Sequence, residues 1–378
     1  MSKRPAQRTA EQSAEPAGDL LSRLRRQLPL HLRAVGVIAV LVVLVLATGL
    51  HNHLFWGANN VKVLLMNMSF VAIAGTGTAL LLITGSIDLS IGAVLALTAV
   101  SSAMLSKVVP VPVALILGVM IGGGVGAING LLVWNVPTSP IIITLGSLSL
   151  VRGVVLVITK GEAVGGTPHS YLSFGNAEPL GLPAPVWIFV IIALLGFLFL
   201  TFTTTGRHIY AIGGNKETSR STGIRVRRIV IGAFILNGLL VGLAGVLEGS
   251  LFGAPEPTYG LGFELEVITA VIVGGVSFAG GEGGILRAML GCVLLAVISA
   301  AVVSWNINPD YAEIATGAIL VLAVSSDHLI QKQRERYQRT MAMREQAQIA
   351  EERNSGDPPP DPGGGPSGQP PMLALEGE

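Results

Sequence analysis

Apolar positions in this chain fall into long, nearly unbroken runs separated by short polar or glycine- and proline-rich breaks. Neither the alternation of a half-buried strand nor the striping of a helix on an aqueous core runs through them. Ten runs stand out, at about 34–50, 63–83, 91–106, 113–133, 141–158, 186–203, 229–247, 264–277, 286–303 and 312–325. Several approach the ~20 residues that a helix needs to cross a bilayer. The pattern predicts an all-α polytopic membrane protein of about ten transmembrane helices. The third, eighth and tenth runs are short, as expected of tilted or re-entrant segments, or of segments buried in protein.

Composition agrees. Hydrophobic residues make up 51% of the 378, charged residues 12%, where a soluble domain carries about 25% charge. A net charge of +1 gives no bias toward nucleic acid. The 48 glycines alongside 5% aromatics point to helices packed through small residues. A single cysteine, Cys292, excludes an internal disulfide and a cysteine-based zinc site.

Basic residues are clustered at 1–33, at 204–228 and after Ser326. With ten spans and a cytoplasmic N-terminus, every Lys and Arg except Lys62, Lys107, Lys160 and Arg152 falls on the cytoplasmic side, as the positive-inside rule requires. Both termini are therefore expected inside, without a cleaved signal peptide. Residues 1–33 form a polar, basic segment; its Leu20–Leu30 part is either an amphipathic helix on the membrane surface or a basic topogenic flank. Residues 34–327 form the membrane domain and 328–378 a tail, charged and helical over 331–353, then disordered over Asp357–Pro371. Two outer segments, Thr159–Pro185 and Ser250–Phe263, either meet a soluble partner or cap helices.

In the fourth run Gly118, Gly122, Gly126 and Gly130 repeat every four residues, the mark of a close helix–helix seam, with Gly238 and Gly242 a weaker echo. Asp88 lies in a polar break, Thr84–Gly92, between two apolar runs, flanked by Ser86 and Ser90. An intramembrane carboxylate is costly and faces protein or water, so Asp88 is either a structural cap or part of a substrate path. Arg152, Glu248, Glu264 and Glu266 lie toward span ends, where snorkelling to the interface is expected. No nucleotide-binding P-loop sequence and no zinc-protease spacing of His and Glu occurs. Buried proton-relay residues are sparse. Energy for any transport must then come from elsewhere, which directs attention to Thr204–Arg228. There a polar stretch, 216–222, is predicted to form a short helix after a Gly213-Gly214 turn, with Asn215 as its cap.

These segments carry a resemblance. GSIDLSIG at 85–92, PTSPIIITLGSLSLVRG at 137–153, GRHIYAIGGN at 206–215 followed by STGI at 221–224, and GLGFELEVITAVIVGG at 260–275 with GGEGG at 280–284 resemble, in order and spacing, the membrane permease subunit of carbohydrate-importing ABC transporters of the ribose/xylose type. The resemblance covers about 35–327. It departs from the family pattern at Ser86 and Ile91, over Ser219–Thr222, and at Glu266.

The resemblance implies an ABC importer permease fold with inverted-repeat halves, working as a homodimer in the bacterial inner membrane. It implies no catalysis and no bound cofactor or metal, ATP and Mg being used by separate cytoplasmic ATPase subunits. Those subunits would dock on a coupling loop carrying Gly206, Arg207, Tyr210, Ala211, Gly213, Gly214, Asn215, Glu217, Thr222, Gly223 and Ile224. An extracytoplasmic sugar-binding protein would deliver a monosaccharide, a pentose-like sugar or polyol. Candidates for path or gate are Asp88, Ser86, Ser90, Thr144, Arg152, Glu264 and Glu266. The alternatives are the same fold importing a branched-chain amino acid or nucleoside, and a gradient-driven secondary transporter.

Overall fold

The computed structural model describes residues 35–308 and 310–354. Among them are thirteen α-helices, two short 3₁₀ turns and no strand. The helices are α1 (Val35–His51), α2 (Ala58–Ile83), α3 (Ile91–Leu105), α4 (Val111–Asn135), α5 (Pro140–Thr159), α6 (His169–Gly175), α7 (Ala184–Phe202), α8 (Thr204–Gly214), α9 (Lys216–Ser221), α10 (Val226–Phe252), α11 (Phe263–Val273), α12 (Ile285–Ser304) and α13 (Asp310–Asn354). Each of the ten apolar runs is occupied by a helix. Seven are long and apolar enough to cross a bilayer; α1, α3 and α11 are shorter.

Helix boundaries follow local chemistry. Proline occupies the first turn of α4, α5 and α7, where its missing N–H costs nothing. Gly253 ends α10 in the left-handed conformation that favours glycine. The tenth run corrects an expectation: instead of a short segment it opens α13, which continues as one helix to Asn354 because no Pro or Gly interrupts the charged stretch. The described residues divide into two units, the division falling between Val324 and Ser325. The basic segment expected over 1–33 and the Asp357–Pro371 tail lie outside the described residues.

Within the first unit α2 is buried almost all round from Met68 to Ile83, and α3 over most of its length. A helix apolar on every face belongs in the interior. They share the main core with α7, α10, α11 and α12, while α4, α5 and α7 present much of their apolar surface outward. At fifteen residues α3 cannot cross a bilayer by itself, and its burial is what permits the irregular backbone before it.

The glycine repeat of α4 faces α10. A Cβ at Gly122 would stand 2.9 Å from the Gly242 Cα and collide with the Gly238 carbonyl; one at Gly130 would stand 3.1 Å from the Ile231 Cα. Gly118 abuts Val246 of α10 and Ser102 of α3. Backbone touches backbone along this seam.

Candidate functional site: two chain breaks touched from one end

At the end of α2, Thr84 turns its hydroxyl back to the Leu81 carbonyl (2.6 Å), and Gly85 takes a φ of 73°. The chain then runs without helix to Ser90. Asp88 pins this stretch and is 2% exposed. Its Oδ1 accepts from the Ser90 amide (2.9 Å) and the Ser90 hydroxyl (2.6 Å). Asn129 of α4 donates to the same Ser90 hydroxyl at 2.9 Å, and Asn237 of α10 reaches Asp88 Oδ2 at 3.4 Å. Thr78 of α2 donates to Asn237 Oδ1 (3.2 Å), closing a network that ties four helices to one break. These contacts anchor Asp88 to α10 and to the residue that opens α3. Ser90 holds the N-cap position of α3, yet its hydroxyl turns to Asp88 rather than to the helix amides. Ser86 is also buried.

A second break, Gly274–Gly284, separates α11 from α12. It comes to the same place. The Gly281 amide donates to the Ile83 carbonyl (2.9 Å), the last residue of α2. A Cβ at Gly280, whose φ is 90°, would lie 2.8 Å from the Gly85 Cα. Gly213 of α8 is wedged between both breaks, and Tyr210 donates its hydroxyl to the Gly283 carbonyl (3.0 Å). Burial pushes the Tyr210 phenol up, with Arg287 acting in the opposite direction. The helix α8 therefore touches each break by backbone contact.

The α8–α9 segment is built by three local devices. Thr203 caps α8 by accepting from the Gly206 amide (3.0 Å). Asn215 caps α9, accepting from the amides of Glu217 (3.0 Å) and Thr218 (2.9 Å). At its other end the Ile224 amide reaches the Ser219 carbonyl (3.1 Å) over Gly223, φ 82°, a Schellman closure past Thr222. The expected short helix is present, but the turn expected at Gly213-Gly214 is not. Both glycines finish α8, and the bend falls on Asn215. Lys216 and Arg220 lie over the Trp134 ring of α4, at 5.1 and 5.4 Å. Burial, then the neighbouring Arg220, lowers the Lys216 ammonium from its ordinary value. Arg207, Ala211 and Glu217 are exposed.

The opposite end of the bundle carries the two outer segments, and they bind each other. Val164 donates its amide to Pro255 (3.0 Å), Thr167 its hydroxyl to Gly253 (2.8 Å), and Asn176 its side chain to Leu251 (3.0 Å). Tyr171 shares a hydrogen bond with Ser102 (2.8 Å), and burial pushes its phenol to about 12. Lys62 pairs with Glu178 at 2.6 Å.

Arg152 departs from expectation. It does not snorkel: its Nη1 donates to the carbonyls of Pro257 (2.8 Å) and Tyr259 (2.7 Å). It stands about 10 Å below the end of α5 by helical rise, so the 255–260 loop dips into the bundle. That depth explains why α11 is short. Nor does Glu264, in the first turn of α11, reach out: its Oε2 is buried without a hydrogen-bond partner, against the backbone of Gly92 at the start of α3. Glu248 and Glu266, on α10 and α11, are close enough for their charges to interact.

The candidates thus divide into two groups. Asp88, Ser86, Ser90 and the 206–224 segment gather around the breaks; Arg152, Glu264 and Glu266 lie toward the outer segments. Thr144 joins neither, its hydroxyl spent on the Pro140 carbonyl of its own helix (3.0 Å). Sequence reading passed over Asn129, Asn237, Thr78 and Trp134, and quoted Gly280–Gly284 for the resemblance without giving those glycines a place in the site. An asparagine inside an apolar run is a legible signal of a buried polar contact; its partner is not.

A multi-pass helical bundle with two interior chain breaks, both touched by an amphipathic element at one end, is the frame of a transport permease. The chain belongs to the family described as the permease component of branched-chain amino acid transport systems, whose model matches residues 60–324. It is 36% identical over 300 residues to the D-allose transport system permease protein AlsC of Escherichia coli strain K12, covering 79% of this chain and 92% of that protein. The ribose import permease protein RbsC of the same strain is 37% identical over 298 residues, 78% and 92%. Its L-arabinose transport system permease protein AraH is 34% identical over 301 residues, 79% and 91%.

Proposed function

We propose that this chain forms the translocation path of an ATP-binding-cassette importer for a monosaccharide, a pentose-like sugar or polyol. It would work as a homodimer in the bacterial inner membrane, both termini cytoplasmic. ATP and Mg are used by separate ATPase subunits docked on residues 206–224, and an extracytoplasmic sugar-binding protein delivers the substrate to the outer segments. The relatives named for D-allose, ribose and L-arabinose favour a sugar over the branched-chain amino acid of the family's description.

The observation that carries the coupling is the contact of α8 with both breaks, through Gly213 against Ile83 and Gly281, and Tyr210 against Gly283. Closure of an ATPase pair on α9 would move α8. That movement passes by rigid backbone contact to the ends of α2, α3, α11 and α12. Asp88 keeps the first break fixed to α4 and α10, so the break moves with the helices and does not unravel. Arg152 does the same for the dipping outer loop. Such a device alternates between two packings that ATP and loaded binding protein favour unequally.

The test is uptake of labelled ribose, allose and arabinose into proteoliposomes. Uptake requiring ATP, the ATPase and the binding protein is expected. Uptake by this chain alone under an ion or proton gradient would instead establish a secondary transporter.

A further inference from the structure

Beside α8 and α9 lies a cavity of about 390 Å³ lined by His208, Thr222, Gly223, Ile224, Arg225, Arg228 and Ile229. We infer that it binds the phosphate of an anionic phospholipid. His208 comes from α8, the two arginines from the start of α10, and the floor is the Ile224–Ile229 apolar pair. No carboxylate lines it. Among the described residues neither arginine forms an ion pair. The nearby Lys216 and Arg220 are engaged with Trp134, so the cavity keeps its own cations for a ligand.

Position favours a lipid over an acidic protein segment. Arg225 and Arg228 flank Val226, where the 27-residue span begins, so they stand at headgroup depth. At the same end the neighbouring helix α4 exposes Leu131 and Leu132, and Val136 just past it is exposed as well, apolar surface fit for acyl chains. Arginine's planar fork suits a phosphodiester. A lipid held there would touch α8, the Thr222–Ile224 link and α10 together, bracing the segment through which coupling is proposed. The binding itself does not depend on that proposal.

Native mass spectrometry of the full chain, titrated with phosphatidylglycerol, phosphatidylcholine or inorganic phosphate, tests this. One tightly retained phosphatidylglycerol is expected, with phosphatidylcholine weaker. Arg225→Ala and Arg228→Ala should each weaken retention by roughly fivefold, the scale of one arginine near an anionic surface, while Arg227→Ala, as exposed as the other two but outside the cavity lining, should leave it within twofold. Melting and gel filtration establish folding; if the alanine variants fail to fold, Arg225→Lys with Arg228→Lys should still lose retention severalfold, since lysine lacks the fork. Equal losses at all three arginines would reduce the effect to diffuse surface charge and overturn the site. So would displacement of the lipid by inorganic phosphate. Wild-type lipid retention in the alanine variants with loss of ATPase binding would assign the cavity to a protein partner instead.

Discussion

Gly213 stands so close to the Ile83 carbonyl that no side chain fits between them: a Cβ there would also lie 2.9 Å from the Gly281 Cα. Its neighbour Gly214 has nothing within 4 Å of the same imagined atom. Gly213→Ala should therefore force α8 off both breaks, at the 1–3 kcal/mol typical of overpacking, and lower ATP-driven uptake by about tenfold or more. Gly214→Ala should stay within about twofold. Uptake by the reconstituted system, normalised to inserted protein, checks this, and equal behaviour of the two variants would remove the backbone joint from the mechanism.

That contrast marks where the sequence stops being legible. The ten apolar helices could be read because each follows an apolar run, seven of them at the length a bilayer sets, and the α4 seam because the fourfold glycine spacing places one face. The Asn215 cap could be read because capping is local. Gly213 and Gly214 look alike in the chain; only the approach of Ile83 and Gly281, distant in sequence, tells them apart. Arg152 misled for the same reason. Its place in α5 is evident from spacing, but the carbonyls it binds belong to a loop some hundred residues later.

Asp88 is expected to act through structure. Asp88→Asn keeps the shape but turns an NH₂ toward groups that donate, leaving buried donors unpaired at about 1–3 kcal/mol. The variant should melt lower and insert at reduced level. Adding Asn237→Asp restores a donor–acceptor pair between the first break and α10 and should recover part of the loss. A double-mutant cycle on melting temperature measures it; strict additivity would show that the two side chains do not communicate.

The α9 cap predicts a local effect. Asn215→Ala removes the acceptor of the Glu217 and Thr218 amides and should cost about 0.5–2 kcal/mol, seen as faster hydrogen exchange over 216–221. Asn215→Asp retains the acceptor and should exchange as wild type. Coupled ATPase stimulation should follow the same order, weak in the alanine variant and near normal in the aspartate.

Arg152→Ala should free the 255–260 loop, since hydrogen bonds to a charged donor contribute about 1.5–3 kcal/mol. Glu256→Cys gives a reporter on that loop: its modification rate should rise when Arg152 is truncated. Lysine at 152 presents a single ammonium where the two carbonyls are gripped by one guanidinium nitrogen, so intermediate rates are expected. Unchanged rates would mean that the loop is held by Val164 and Thr167 alone.

Sidedness can be read without first removing native thiols. The lone cysteine, Cys292, is 1% exposed and lies within the core, so it is silent to aqueous reagents. Ser170→Cys on α6 and Ser221→Cys on α9 occupy exposed positions at opposite ends of the bundle. The basic residues around α9, at 207, 216, 220, 225, 227 and 228, give the expectation that this end faces the cytoplasm. In intact cells a membrane-impermeant maleimide should then modify Ser170→Cys and spare Ser221→Cys until the membrane is broken. The reverse pattern would put α8 and α9 outside, beyond the reach of any cytoplasmic ATPase.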